Sequence, residues 1–249
     1  MSRIPVSIFL FTLLAGCTDS QPEPQRASVA ASVSADLPEL PLSPTVQAAV
    51  RRFDRELEAI RASSASAEAG SDFATSLLAR AEAAQAVRRL ADRPTVLSGF
   101  DALQAQTYMA GQIQQLDTAN AVFLEQYLPT QGWFDSKRYG ERISNSAFLI
   151  TQHSSDQRLM RLALARMQSA GVAAPADLRR HALLSDRIAV AERRPQAYGT
   201  QLICNDQGVL VMYQIEDAQH VEERRKSRGF AETLTEYTAR IPNFEKACF

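Results

Sequence analysis

The sequence predicts a mainly α-helical single domain with one small β-hairpin near the C terminus. Between residues 44 and 193 the apolar residues recur every three or four positions, which is the period of a helix that buries one face. After residue 200, two short β-like runs flank the turn-forming segment Asn205-Asp206-Gln207-Gly208. The roughly 200 residues after residue 43 are enough for one hydrophobic core, and no internal repeat divides them.

Three helices are predicted in the first half of this domain. Residues 45–61 have an apolar face at helical spacing, and small residues over 63–71 are expected to break the helix. Asp72 is a suitable N-cap for a second helix. The apolar series over 97–127 indicates either one long helix or two helices separated near Gly111.

Three more helices are predicted before the hairpin. Residues 144–153 and 156–170 carry helical patterns, and Pro175 suits the first position of a helix that runs to about residue 193. Trp133 follows a glycine and is interpreted as a core anchor rather than a ligand platform, although both readings stay open.

The predicted hairpin pairs residues 200–204 with 209–213, and two short helices follow it. The first is Val221–Ser227, capped by Asp217 or a neighbour, and the second spans 232–240. Cys204 and Cys248 form an even pair if the chain is exported, which favours a disulfide over two free thiols.

The N-terminal segment, residues 1–17, has the features of a targeting signal. Arg3 precedes a short apolar run that ends in Leu14-Ala15-Gly16-Cys17, which closely resembles a bacterial lipobox. That resemblance implies that Cys17 is lipidated and anchors the mature protein to a membrane. The alternative is an ordinary secretory signal with an accidental cysteine.

Residues 18–43 are rich in Pro, Ser and Ala and are expected to form a disordered tether before the helical domain of residues 44–249. The predicted location is therefore the bacterial cell envelope, facing the periplasm. Thr18 stands where an inner-membrane retention signal would place Asp, so the outer membrane is favoured.

Composition and motifs exclude several functional classes. The net charge is −1, so nothing in the charge balance argues for a nucleic-acid partner. The sequence contains no nucleophile elbow, phosphate-binding loop or zinc-protease motif. No cofactor is predicted. No metal site is predicted either, because the three histidines, His153, His181 and His220, are widely separated.

The most informative stretch is the octet Arg194-Pro195-Gln196-Ala197-Tyr198-Gly199-Thr200-Gln201. Pro195 ends the preceding helix, and Gly199 permits a backbone conformation that other residues resist. The cluster of polar side chains at this helix-to-strand junction indicates either a ligand site or a turn that caps the helix.

Two further candidates lie upstream. His153 ends an apolar helical run and could act as a general base, or bond at a helix C terminus. Asp186 and Arg187 are neighbours on the helix that leads to the octet, so one of them faces the core and needs a partner.

These residues together resemble a bacterial domain family of unknown function. The matching signature is Gln152-His153, then Leu184-Ser185-Asp186-Arg187, then Pro195 to Gln201, with Arg224-Arg225 further on. The resemblance extends over residues 73–239 and includes Asp117 and Asn120. It implies a shared domain and brings no activity with it.

The sequence supports three functional hypotheses. The preferred one is a lipid-anchored domain that binds a small or peptide-like ligand in a polar pocket. Its ligand-binding residues are Gln152, Arg187, Gln196, Tyr198, Gly199, Thr200, Gln201 and Arg224. The second hypothesis is an acid–base enzyme with His153 as catalytic base and Asp186 orienting it. The third is a scaffold or interaction domain without a ligand.

Overall fold

A computed structural model describes residues 42–248, and it confirms a mainly helical domain with one small hairpin near the C terminus. The predicted signal segment, Cys17 and nearly all of the predicted tether lie outside the described residues. The helices are α1 Pro44–Glu68, α2 Phe73–Ala91, α3 Gly99–Glu125, α4 Leu128–Gln131, α5 Ser136–Tyr139, α6 Glu141–His153, α7 Gln157–Ser169, α8 Pro175–Ala191, α9 Val221–Ser227 and α10 Leu234–Ala239. The two strands are β1 Leu202–Cys204 and β2 Leu210–Met212.

Helix α1 is about two turns longer than its sequence predicted. The predicted break over 63–71 is present, but it begins later than predicted, because the helix continues to Glu68 and Gly70 follows with a positive φ of 71°. The small residues that suggested a break include several alanines, which are the best helix formers. Glu68 also pairs with Arg80 of α2 at 2.6 Å, so a tertiary contact supports the extra turns.

Two other helix predictions are settled by the fold. The region around Gly111 contains no break, since α3 is a single helix from Gly99 to Glu125. Asp72 caps α2 as predicted, and its carboxylate accepts a 2.8 Å hydrogen bond from the backbone N–H of Thr75.

The core consists of two clusters of buried apolar side chains. The larger cluster joins α2, α3, α6, α7 and α8 and contains Trp133, which is buried as predicted. The smaller cluster joins α1 to α2 and to the first half of α3. It contains Val46, Val50, Phe53, Leu57, Val87, Leu90, Ala105 and Met109.

The hairpin lies against the C-terminal segment. Strands β1 and β2 are antiparallel, with Ile203 opposite Val211. The backbone of Leu210 exchanges hydrogen bonds with residues 245 and 246, and Ala247 forms an isolated antiparallel bridge with Val209, so the end of the chain is fastened to the hairpin. Cys204 and Cys248 are joined by a disulfide, which confirms the predicted pairing.

Helix α9 begins as predicted at Val221, but Asp217 does not cap it. Asp217 adopts a left-handed conformation with φ 45° and precedes a short 3-10 turn, Ala218–His220. The carboxylate of Asp217 instead contacts the ring of His220 at 2.8 Å.

No helix within residues 42–248 is long and apolar enough to cross a membrane.

Candidate functional site

The octet forms a tight loop around the carboxylate of Asp186. Oδ1 of Asp186 accepts hydrogen bonds from the backbone N–H groups of Ala197 and Tyr198, at 2.8 and 3.1 Å. Oδ2 accepts from the backbone N–H and the hydroxyl of Thr200, at 3.1 and 2.9 Å. Burial raises the pKa of Asp186, and these hydrogen bonds oppose the rise by stabilising the charged form.

Gln196 fastens the other side of the loop. Its side chain is fully buried, and its Oε1 accepts 2.8 Å hydrogen bonds from the backbone N–H groups of Thr200 and Gln201. Its Nε2 donates to the carbonyls of Gln201 and Tyr213, so it joins the loop to the end of the hairpin. All the hydrogen-bonding capacity of this amide is used inside the protein.

Two arginines of α9 hold the loop from outside. Arg224 donates to the carbonyls of Ala197 and Asp217. Arg225 has only 1% of its surface exposed and donates to the carbonyl of Tyr198, while its guanidinium lies 4.6 Å from the ring centre of Phe230. Ala197 and Tyr198 thus donate their N–H groups to Asp186 and accept from Arg224 and Arg225 at their carbonyls, which fixes the loop backbone at both groups.

Most of the predicted ligand-binding side chains therefore serve the loop itself. Gln196, Thr200 and Arg224 are engaged in these bonds, and the hydroxyl of buried Tyr198 accepts from Arg228 at 3.1 Å. Gly199 has φ 65°, and it lies against the side chain of Leu234. Of the two interpretations of the octet, this geometry supports the turn that closes a helix end.

Gln201 and Gln152 keep hydrogen-bonding capacity. Nε2 of Gln201 donates to the hydroxyl of Thr200 at 3.0 Å, and its side-chain oxygen, Oε1, makes no hydrogen bond within the described part of the chain. Gln152 is half-buried near the end of α6. No side-chain hydrogen bond joins it to another residue of the range 42–248.

His153 lies in a second polar group, beside α2. The imidazole is buried, and its Nε2 lies 3.5 Å from Nε2 of Gln85. Burial, together with the positive charges of Arg88 and Arg187, lowers the pKa of His153 to about 3. The imidazole is therefore neutral at physiological pH. The hydrogen bonds of the Asp186 carboxylate go to the octet, so the predicted pairing of Asp186 with His153 is not supported by the geometry.

Arg88 and Asp117 form the charged centre of this group. A guanidinium nitrogen of Arg88 donates to both carboxylate oxygens of Asp117, at 2.7 and 2.6 Å, and both side chains are buried. Burial raises the pKa of Asp117, while the bonds from Arg88 lower it. Asn120, one turn further along α3, is buried, and its amide has no hydrogen-bond partner among the described residues.

Arg187 is half-buried, and it differs from the buried arginines because no anionic side chain within residues 42–248 pairs with it. Burial lowers its pKa, an effect that Tyr237 opposes. Across residues 42–248, the guanidinium makes no hydrogen bond or ion pair. It lies close enough to His153 to affect the pKa of that imidazole. The structure therefore groups Gln85, Arg88, His153 and Arg187 at the C-terminal ends of α6 and α8.

Sequence reasoning missed Gln85 and Arg88. A signal for Arg88 exists, because it continues the series Leu77, Ala81 and Ala84 on the buried face of α2. A buried arginine at such a position needs an acidic partner, and Asp117 is the one that the fold supplies. Nothing in the spacing identifies Gln85, which follows Ala84 on the neighbouring face.

Two cavities lie elsewhere in the molecule. An open groove of about 390 Å³ runs between α1 and α2, next to Glu56 and Arg93. A smaller cavity of about 110 Å³ is lined by residues of α1, α2 and α3, including Asn120. Neither is lined by Arg187 or by the octet.

Among residues 42–248, no three His, Cys, Asp or Glu side chains are grouped so that they could hold a metal ion.

A family model matches residues 71–244, which contain the octet, Asp186, Arg187 and His153. The chain belongs to DUF6624. This is a family of unknown function, so membership assigns the domain but no activity. The matched range agrees with residues 73–239, over which the sequence resembles a domain family. No curated protein and no solved structure matches the DUF6624 chain significantly.

Proposed function

We propose that this protein is a lipid-anchored envelope protein whose DUF6624 domain binds a small or peptide-like ligand through a carboxylate. The observation that carries the proposal is that the charge of Arg187 has no anionic partner among the residues that the structure describes. A half-buried guanidinium without an anionic partner is destabilising, and natural proteins rarely keep such a group without a use for it. A carboxylate ligand supplies the missing charge and accepts two parallel hydrogen bonds from the guanidinium.

The neutral imidazole beside Arg187 supports a binding role. With a pKa of about 3, His153 carries no charge at neutral pH and has one donating and one accepting ring nitrogen. Gln152 precedes it on α6, and its side-chain amide makes no hydrogen bond within the part of the chain that the structure describes. A peptide-like ligand offers amide donors and acceptors to such groups, while its carboxylate contacts the arginine.

The acid–base alternative has less support. A general base works best when its pKa lies near the working pH, and a pKa of about 3 makes His153 a weak base at pH 7. The carboxylate proposed to orient it, Asp186, is surrounded by donors from the octet. The scaffold alternative predicts an exposed apolar face, and such a face is compatible with ligand binding at Arg187.

A thermal-shift screen of the full-length lipidated protein in detergent tests the binding proposal. The probes are small carboxylic acids and short peptides with free carboxylates, each paired with its amidated form. We expect at least one carboxylate to raise the melting temperature by several degrees, and its amide to have no effect.

Two variants locate the site. Arg187→Ala should abolish the shift, whereas Arg142→Ala, which removes an exposed arginine paired with Glu82, should retain it. The proposal is wrong if no carboxylate stabilises the protein, or if the shift survives in Arg187→Ala.

Anchoring is tested separately. The order of basic residue, apolar run, lipobox and Pro-rich segment supports lipidation of Cys17, a site in the cell envelope facing the periplasm, and an outer-membrane destination. Wild-type protein should incorporate labelled palmitate and stay with membranes at high salt, and Cys17→Ser should do neither. Wild-type protein that takes up no label and is released by salt would overturn the anchoring proposal and leave ligand binding untouched.

A further inference from the structure

Three large apolar side chains are exposed at one end of the domain. Val96 is 96% exposed in the loop before α3, and Phe100 and Leu103 are each 58% exposed in the first two turns of α3. Phe100 and Leu103 are three residues apart and therefore lie on the same face of the helix. Single exposed apolar residues are common, but three within eight residues mark a candidate interaction surface.

The N-terminal segment joins the domain beside this patch. The hydroxyl of Ser43, the N-cap of α1, donates a 2.9 Å hydrogen bond to the carboxylate of Asp101, which lies next to Phe100. Leu42 and Leu97 pack against the same core cluster. The start of α1 and the exposed side chains therefore occupy the same end of the helical domain.

We propose that the patch formed by Val96, Phe100 and Leu103 rests on the membrane that holds the lipid of Cys17. This inference relies on the proposed anchoring. Only residues 18–41 separate Cys17 from the described domain, and these 24 residues span at most about 80–90 Å. The domain is thus always close to the lipid surface. This high local concentration allows a small apolar contact to stay bound, although the same contact would be too weak between separate molecules.

The proposed contact also orients the candidate site. Asp117 lies 17 residues after Phe100 on the same continuous helix, which corresponds to about 25 Å along its axis. The group around Arg88 and His153 is therefore about 25 Å along α3 from the proposed membrane contact. Val122 is a matched control, because it is 54% exposed but lies about 33 Å further along α3 than Phe100.

Photo-crosslinking of the full-length lipidated chain tests this contact. Phe100, Leu103 or Val122 is replaced, one at a time, by p-benzoylphenylalanine. Each protein is reconstituted in vesicles of phosphatidylethanolamine and phosphatidylglycerol that contain a radiolabelled phospholipid. After irradiation, we expect at least fivefold more lipid label at positions 100 and 103 than at position 122.

Each other outcome contradicts the proposal. Equal lipid labelling at the three positions means that the patch has no preference for the membrane. Crosslinking of position 100 to a second copy of the chain assigns the patch to self-association. Palmitate incorporation is measured in the same samples, so that loss of the anchor is distinguished from loss of docking. Arg187 lies outside the patch, so the carboxylate screen is independent of this result.

Discussion

A single carboxylate oxygen, Oδ2 of Asp186, accepts hydrogen bonds from both the backbone N–H and the hydroxyl of Thr200, at 3.1 and 2.9 Å. The two residues are fourteen positions apart, and both are buried. This contact closes the octet on the end of α8. It explains why Gln196, Tyr198 and Thr200 of the octet are polar and yet buried.

Replacement of Asp186 should therefore damage the fold. In Asp186→Asn, an NH₂ group faces backbone donors that the carboxylate accepted, so we expect a loss of about 3 kcal/mol of unfolding free energy. Urea denaturation measures the loss. Asp135→Asn is the control: Asp135 caps α5 at an exposed position, and asparagine caps equally well, so the change should stay below about 0.5 kcal/mol. A change of less than about 1 kcal/mol in Asp186→Asn would show that the loop does not need this carboxylate.

Gly199 and Gly208 provide a matched pair of substitutions. Both have positive φ, 65° and 71°, but a Cβ at Gly199 would lie 2.7 Å from Cδ1 of Leu234, whereas one at Gly208 would meet nothing within 4 Å. We expect Gly208→Ala to cost about 1 kcal/mol of stability from backbone strain alone, and Gly199→Ala about 3 kcal/mol. Equal losses in urea denaturation would mean that the contact with Leu234 adjusts without cost.

The buried imidazole of His153 should make the stability of the fold depend on pH. Its pKa is about 3 in the folded protein and about 6.5 in the unfolded chain, so the unfolded state binds more protons below pH 6.5. The fold is favoured above pH 6.5 and loses stability as the pH falls, by about 2–3 kcal/mol between pH 6.5 and 4.5.

The comparison with His153→Gln isolates this effect. His181, whose pKa is also lowered by burial, contributes in the same direction, and Asp186, whose pKa is raised, contributes in the opposite one. Both groups are present in the variant, so the difference between the two urea series belongs to His153. Parallel pH dependences for wild type and variant would contradict a lowered pKa.

Truncation of Arg225 should lower the unfolding free energy, whereas truncation of Arg187 should change it little or raise it. Arg225 holds the carbonyl of Tyr198, so Arg225→Met should cost about 3 kcal/mol. Arg187 has no partner in the described range, so Arg187→Met should leave stability within about 1 kcal/mol of wild type or raise it. A loss above about 2 kcal/mol in Arg187→Met would reveal a structural role and weaken the binding proposal.

The disulfide should stabilise the end of the chain. It closes a sequence separation of 44 residues between Cys204 and Cys248, which corresponds to about 4 kcal/mol if it acts by limiting the entropy of the unfolded chain. The double variant Cys204→Ser/Cys248→Ser should lose about this amount in urea denaturation. Reduced wild-type protein is the control and should match it. A variant as stable as oxidised wild type would show that the bond adds nothing to stability.

The sequence alone determined the fold class and most of the local elements. Helical spacing of apolar residues, the cap at Asp72 and the proline that begins α8 are local signals, and the structure confirms each of them. The disulfide was also predictable, because only Cys204 and Cys248 remain once Cys17 is assigned to the lipid.

Only the tertiary structure decided what the polar residues do. Spacing shows which face of a helix is buried, but it does not show how two helices are rotated against each other. The pairing of Arg88 with Asp117, 29 residues later, depends on that rotation. The same rotation also determines that the octet surrounds Asp186 and not Arg187. The sequence places Asp186 and Arg187 at one junction. Packing surrounds Asp186 with four hydrogen-bond donors, and it leaves Arg187 without a partner in the described part of the chain.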